Sequence, residues 1–481
     1  MIGIVVGEAT RASVSVMTES ALPTGIFLEI IDVENKLGVV EKTVIESRSM
    51  DAVSSFDDAS SARKIPGMNP RDTKFISIVK ILGEIDELKR GVANVPEIPI
   101  RPGTGVKFAD TEVLKTIFSP TQEEYAQIAT LKGSVDVPVK INLDRMISRH
   151  SAILSMTGQG KSTLVAAKLI EIAKKAGTAV VYDIHGEMSS LKIKNLQTLI
   201  PVINPMYLNG DELCEILEIR TDASLQRDCL RNAFHRTAKG NGKGKEFWSR
   251  LKSNLMGEPD QITKVSNKID NAVRYSSAII NPNVGNPLYR LKEGVINILD
   301  MSGLTEKQAK IVVSFYANRL FQDRKKAMKS KELAILKEAH LQVLEEAHVF
   351  CDGTKSKTER IFSKIVREGR KMGLGFLLVS QRVRNLSPDI LSQISSWSVG
   401  KLINQSDLDV IENASEFVSP EIKEQIKYLN VGEFLLAGEF VSISAIVRTT
   451  YIEKAIGNDQ SIVSQWRKHS EESLQKIKDD S

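Results

Sequence analysis

Ile153-Leu154-Ser155-Met156-Thr157-Gly158-Gln159-Gly160-Lys161-Ser162-Thr163 is the stretch that decides the fold. A short apolar run enters it, two glycines, a lysine and a hydroxyl pair follow, and an apolar-periodic segment then continues to Lys175. This is the strand, loop and helix of a phosphate-binding loop. Glycines let successive backbone N–H groups turn inward around a phosphate, and the helix behind them points its positive N-terminal end at the same anion. The expected phosphate contacts are Thr157, Gly158, Gln159, Gly160, Lys161, Ser162 and Thr163. Lys161 reaches the β- and γ-phosphates, and Ser162 supplies an oxygen to Mg²⁺. The usual loop has a glycine five residues before Gly160, where this chain has Ser155.

Downstream, Leu341-Gln342-Val343-Leu344-Glu345-Glu346-Ala347-His348 is an apolar strand ending in two acids. Two acids at a strand end are common in isolation; beside a phosphate loop they define a hydrolysis site. Glu345 is expected to hold the metal's water shell and Glu346 to polarise the attacking water. Mg²⁺ keeps most of its waters, so one or two carboxylates suffice. Val180-Val181-Tyr182-Asp183-Ile184-His185-Gly186-Glu187 ends the strand, Thr178–Asp183, that follows the phosphate-loop helix. In a parallel sheet the strand C-termini gather at one edge, which places Asp183, His185 and Glu187 beside the nucleotide. Gln381, in Val379-Ser380-Gln381-Arg382, ends a further strand and is placed to hydrogen-bond a γ-phosphate or its water. Arg149, just before the core, and Arg370, in Arg367-Glu368-Gly369-Arg370-Lys371, are candidates to offset charge on a transferring phosphoryl group, commonly from a neighbouring subunit.

The rest of the chain frames this core. Its 481 residues allow two or three domains, 42% apolar content fills their cores, and the net charge of +5 permits nucleic acid as a partner without demanding it. Cys214, Cys229 and Cys351 are scattered without metal or disulfide spacing, as in a reduced intracellular protein. With no basic leader and no apolar run long enough for a bilayer, the expectation is a cytoplasmic protein without membrane contact. Short strands rich in Val and Ile fill the region from Met1 to about Lys107 and suggest a small barrel or sandwich, here bounded at 1–108. Prolines and glycines near Gly103 mark the boundary, a connector covers 109–150, and its segment Leu131–Leu143 alternates like a hairpin. The α/β core runs over 151–445 with a helical insertion at about 208–292. Ser442–Thr449 alternates like an edge strand, and 446–481 forms a polar tail containing Trp466. Basic residues cluster with helical spacing in Lys355, Lys357, Arg360, Lys364, Arg367, Arg370 and Lys371, and in a loop with Lys239, Lys243 and Lys245; such groups meet phosphates without reading sequence.

Arg149-His150, the phosphate loop, Asp183-Ile184-His185-Gly186-Glu187, Glu345-Glu346-Ala347-His348-Val349-Phe350, Arg367-Glu368-Gly369-Arg370-Lys371, Ser380-Gln381-Arg382 and Leu429-Asn430-Val431-Gly432-Glu433 occur in the order and spacing of one family. The chain resembles the HerA family, archaeal hexameric DNA helicases and translocases of the FtsK/HerA group of P-loop ATPases. The resemblance implies a RecA-like ATPase core with a parallel-type central sheet, a small N-terminal β-barrel and a C-terminal brace on a neighbouring subunit. It implies ATP and Mg²⁺ as cofactors, a homo-hexamer enclosing double-stranded DNA, and a NurA-type nuclease partner in end resection during double-strand break repair. By position, Lys161, Ser162, Asp183, Glu346 and Gln381 take the family's site roles, with Arg149 and Arg370 as its trans-acting arginines. Two alternatives share the chemistry or the fold: a DNA-pumping ATPase of a virus or mobile element, and a nucleotide-gated scaffold for a nuclease.

Overall fold

The computed structural model describes residues 1–31, 35–51, 53–65, 72–239 and 244–449. Two sheets organise them.

The first comprises β1 (Gly3–Val6), β2 (Ser13–Thr18), β3 (Phe27–Ile31), β4 (Lys36–Ser47), β5 (Thr73–Glu84) and β6 (Gly105–Phe108). They close into a barrel in the order β1-β2-β5-β4-β3-β6. Alternate residues face inward, so that Val14, Val16, Leu28, Ile30, Val79, Ile81 and Val106 make one apolar core. Closure removes the exposed edges that would pair with another chain. The closing strand β6 lies in the Pro/Gly stretch taken as a boundary; with four residues it has too little alternation to stand out. Its outward Lys107 meets Glu29 of β3 at 2.8 Å.

The second sheet has eleven strands: β7 (Tyr125–Leu131), β8 (Ser134–Asn142), β9 (Ser151–Leu154), β10 (Thr178–Asp183), β11 (Leu196–Leu199), β12 (Ile296–Asp300), β13 (His340–Leu344), β14 (Leu374–Ser380), β15 (Ser396–Val399), β16 (Glu433–Gly438) and β17 (Ala445–Thr449). Their order is β11-β12-β10-β13-β14-β9-β15-β16-β17-β7-β8. From β11 to β15 every pair is parallel. From β15 to β8 every pair is antiparallel. The central strands are buried on both faces, as parallel strands covered by helices must be. Within β9, Ala152 and Leu154 enter the core on one face while Ile153 enters the core on the other.

Two readings change here. The hairpin β7–β8 is no connector: Leu131, Thr130 and Ala129 pair with Val447, Arg448 and Thr449 of β17, so it widens the ATPase sheet. For the same reason β17 is interior and not an edge. Strand β11 was not anticipated; its four half-exposed residues carry a weak signal.

The segment expected as a helical insertion holds helices at Gly210–Ile216, Ser224–Lys239, Phe247–Ser253 and Pro259–Tyr275, the first closed by a capping box between Asn209 and Glu212. Lys243 falls outside the described residues, as does the polar tail with Trp466. Among the described residues no helix is long and apolar enough to cross a membrane.

Candidate nucleotide site

Because β9, β10, β13 and β14 are parallel, their C-terminal ends meet at one edge. Leu154 hands over to the phosphate loop there, and Asp183, Glu345-Glu346 and Ser380-Gln381 arrive beside it. Gly158 and Gly160 have φ of 74° and 91°, a left-handed backbone that a side chain would strain. Helix α1 (Lys161–Lys174) starts at Gly160 and buries Leu164, Val165, Leu169 and Ile172 against the sheet, which fixes the direction of its N-terminus.

Three backbone hydrogen bonds from two segments grip the loop and its entry strand. Gly400 N–H donates to Leu154 O at 2.8 Å, Met156 N–H to Lys401 O at 3.0 Å, and Gly432 N–H to Gln159 O at 3.1 Å. Ser155, at the position where glycine is usual, is fully buried, and its Cβ lies 2.7 Å from where a Cβ on Gly400 would sit. The missing side chain at 400 makes room for the extra one at 155. No local pattern marks Gly400 as part of the loop's wall, and Gly432 stands out only within the Leu429–Glu433 motif.

Lys161 Nζ folds onto its own loop, donating to Ser155 O at 3.0 Å and Met156 O at 2.9 Å. Burial pushes its pKa down, against the opposing pull of Glu346 and Glu187. Ser162 Oγ donates to Glu187 Oε2 at 2.5 Å, and Thr157 Oγ1 bonds the Gln381 side chain. Thr163 is carried on the first turn of α1.

Asp183 is fully buried and does local work: Oδ1 accepts from Gly186 N–H at 2.8 Å, and Oδ2 from Ser189 N–H and Oγ at 3.0 Å. It thereby shapes the loop that carries His185 and Glu187. Glu345 lies against it; burial first, then the charge of Asp183, raises the Glu345 carboxyl well above the ordinary range. In this chain Glu345 is therefore a partner of Asp183 and not an open acid at a strand end.

Glu346 takes a left-handed backbone, φ 46° and ψ 44°, unusual for a side chain of its size. His348 Nδ1 lies 3.2 Å from its Oε2, off the hydrogen-bond angle, and His185 Nε2 lies 3.7 Å from Oε1.

Ser162, Glu187, Asp183 and the two glutamates form an oxygen donor set, which suits Mg²⁺. Among the described residues no group of three or more His, Cys, Asp or Glu is arranged to hold a metal alone. Such an ion would be held by Ser162 and phosphate oxygens, with Glu187 and Glu346 as the acids open to its waters.

Arg149 and Arg370 are not in this cluster. Both precede strands whose far ends carry the site, so they sit at the opposite sheet edge. Arg149 pairs with Glu439 at 3.1 Å; Arg370 is exposed and makes no ion pair among the described residues. His150 follows Arg149: its Nε2 meets Val366 O at 2.9 Å, and burial pushes its pKa down to about 4, with the charge of Arg370 adding to this. The basic stretch also divides. Lys357 pairs with Glu215, Arg367 with Asp389, and Lys364 lies over the Phe321 ring.

With that geometry in place, the comparisons are specific. A family profile for the helicase HerA central domain matches residues 126–320. The DNA double-strand break repair helicase HerA of Sulfurisphaera tokodaii is 32% identical over 98% of this chain and 97% of its own. Among solved structures, VirB4 of Thermoanaerobacter pseudethanolicus aligns with a TM-score of 0.51 at 14% identity, covering 69% of this chain and 98% of that one. The coupling protein TrwB, solved with ADP and Mg²⁺, aligns with a TM-score of 0.50 at 15% identity, covering 71% of this chain and 92% of that one. These two establish the P-loop ATPase fold. Identity along nearly the whole length establishes more: the chain belongs to the HerA family of ATP-dependent DNA helicases and translocases.

Proposed function

We propose that the chain is an ATP-driven translocase on double-stranded DNA, assembled as a ring of six, that works with a NurA-type nuclease in end resection at double-strand breaks. The observation that carries the hydrolysis chemistry is the meeting of Lys161, Ser162, Glu346 and Gln381 at one edge of the parallel sheet. The DNA substrate and the repair setting rest on the relative named above.

The loop amides and Lys161 bind the triphosphate. Lys161 exchanges two backbone carbonyls for phosphate oxygens, at little cost because its ammonium is already poorly solvated. Mg²⁺ held at Ser162 offsets charge on the phosphate oxygens when nucleotide is bound. Glu346 accepts a proton from the attacking water, and Gln381 leaves Thr157 to hydrogen-bond the γ-phosphate or that water. Arg149 and Arg370 stand too far from this loop to serve it and are offered to the site of an adjoining subunit.

The test is steady-state ATP hydrolysis with and without duplex DNA, together with native mass. Lys161→Ala and Glu346→Gln should each abolish hydrolysis, Glu346→Gln while still binding nucleotide. Full activity in Lys161→Ala, or a protein that stays monomeric with nucleotide and DNA, defeats the proposal.

A further inference from the structure

We propose that His348 is a positioning residue for hydrolysis: its imidazole holds the Glu346 carboxylate in the direction of the attacking water. The inference rests on the reading of Glu346 as the general base and deepens it.

Glu346 leaves β13 through a left-handed residue at the start of the short turn Ala347–Val349. The regular strand geometry that aims Leu344 is therefore lost two residues later, and contacts must aim the carboxylate. Two imidazoles face it. His185 stands 3.7 Å away on a loop with 57% of its side chain exposed, so nothing behind it fixes its ring. His348 has 11% of its side chain exposed and comes within 3.2 Å of Glu346 Oε2.

His348 is also held from the other side. Its Nδ1 lies 3.2 Å from Ser380 Oγ, and Ser380 is fully buried at the end of β14. The Ser380 hydroxyl accepts the Arg382 N–H at 3.1 Å, while the intervening Gln381 bonds Thr157 in the phosphate loop. His348 thus ties the base to the end of β14, whose Gln381 bonds the phosphate loop. Nδ1 has hydrogen-bond geometry with the Ser380 hydroxyl, which has another partner, while the Glu346 Oε2 beside it has none. A small turn of the ring lets Nδ1–H donate to that carboxylate oxygen and orient it, and loss of the ring frees it to rotate.

The experiment uses the full chain in its assembled state and compares His348→Ala, His348→Asn and Glu346→Gln. An asparagine amide nitrogen occupies nearly the place of Nδ1 and donates in the same direction. His348→Ala should lower kcat by about 10- to 100-fold, the scale of a misplaced catalytic group. The KM for ATP and the affinity for a fluorescent ATP analogue should stay within about twofold, because no ground-state phosphate contact is lost. His348→Asn should recover much of the kcat. Unchanged kcat in His348→Ala beside an inactive Glu346→Gln overturns the positioning role and leaves the base intact. A Glu346→Gln protein that hydrolyses normally removes the base and this role together. Raised KM, early melting and no recovery with asparagine would show that His348 only supports the fold.

Discussion

Glu439 holds Arg149 at the sheet edge opposite the phosphate loop: one carboxylate oxygen lies 3.1 Å from the Arg149 guanidinium and the other 3.3 Å from Arg145. Arg149 cannot reach the loop of its own chain from there, and neither can Arg370, which precedes the neighbouring strand. On the function proposed above, both arginines serve the site of an adjoining subunit. Mixing Arg370→Ala subunits with Lys161→Ala subunits should therefore restore part of the ATP hydrolysis that each variant lacks, since some boundaries then carry both native groups. The check is hydrolysis in rings confirmed as mixed by native mass; no recovery there would assign Arg370 a role within its own chain.

The Ser155–Gly400 contact predicts an unequal pair of substitutions. Gly400→Ala places a methyl 2.7 Å from Ser155 Cβ and 2.9 Å from the Phe434 ring. Overpacking of this kind costs about 1–3 kcal/mol. Nucleotide affinity should fall as well, because Gly400 and Lys401 bond the loop's entry. Adding Ser155→Gly should recover part of the stability, leaving the clash with Phe434. Denaturant midpoints and nucleotide affinity of the single and double variants decide it; no recovery at all would place the strain elsewhere.

Lys168, on α1, is fully buried; its Nζ donates to Ser398 Oγ at 3.1 Å and sits 5.0 Å from the Phe440 ring centroid, with no ion pair among the described residues. Burial pushes its pKa down to about 7 from 10.5. Between those values the unfolded chain binds the extra proton, so this group's contribution to stability rises with pH across that window. Below about pH 7 both states are protonated and the burial penalty is at its full size. Lys168→Met, which fills similar volume without charge, should therefore stabilise most near pH 6, with the advantage shrinking toward pH 10. Urea unfolding of both proteins across that range tests the trend; a constant difference would refute it.

Asp183 accepts three hydrogen bonds from the loop that carries His185 and Glu187. Asp183→Asn turns an NH₂ group toward an N–H donor and leaves at least one buried bond unmade, at a cost of about 1–3 kcal/mol. Thermal unfolding should shift down, and hydrogen exchange at Gly186 and Ser189 should speed up. Unchanged protection at those two amides would show that the loop holds itself.

The phosphate loop, the double acid and the strand that ends at Asp183 were legible in the residues because each is local: a turn, a strand end and a helix start are set by a few neighbours and by the period of the apolar residues. The run of short barrel strands before Lys107 was legible for the same reason. What stayed hidden depends on distant partners. Strand β6 is too short to alternate visibly, and β17 became an interior strand only because β7 pairs with it. Lys132 and Glu433 meet at 2.9 Å although 301 residues separate them. Order and chemistry along the chain thus determined a P-loop ATPase and its acids. Only the folded sheet decided that Gly400 makes room for Ser155, that His348 faces Glu346, and that the two arginines stand at the far edge, because backbone pairing between remote strands sets which side chains share a space.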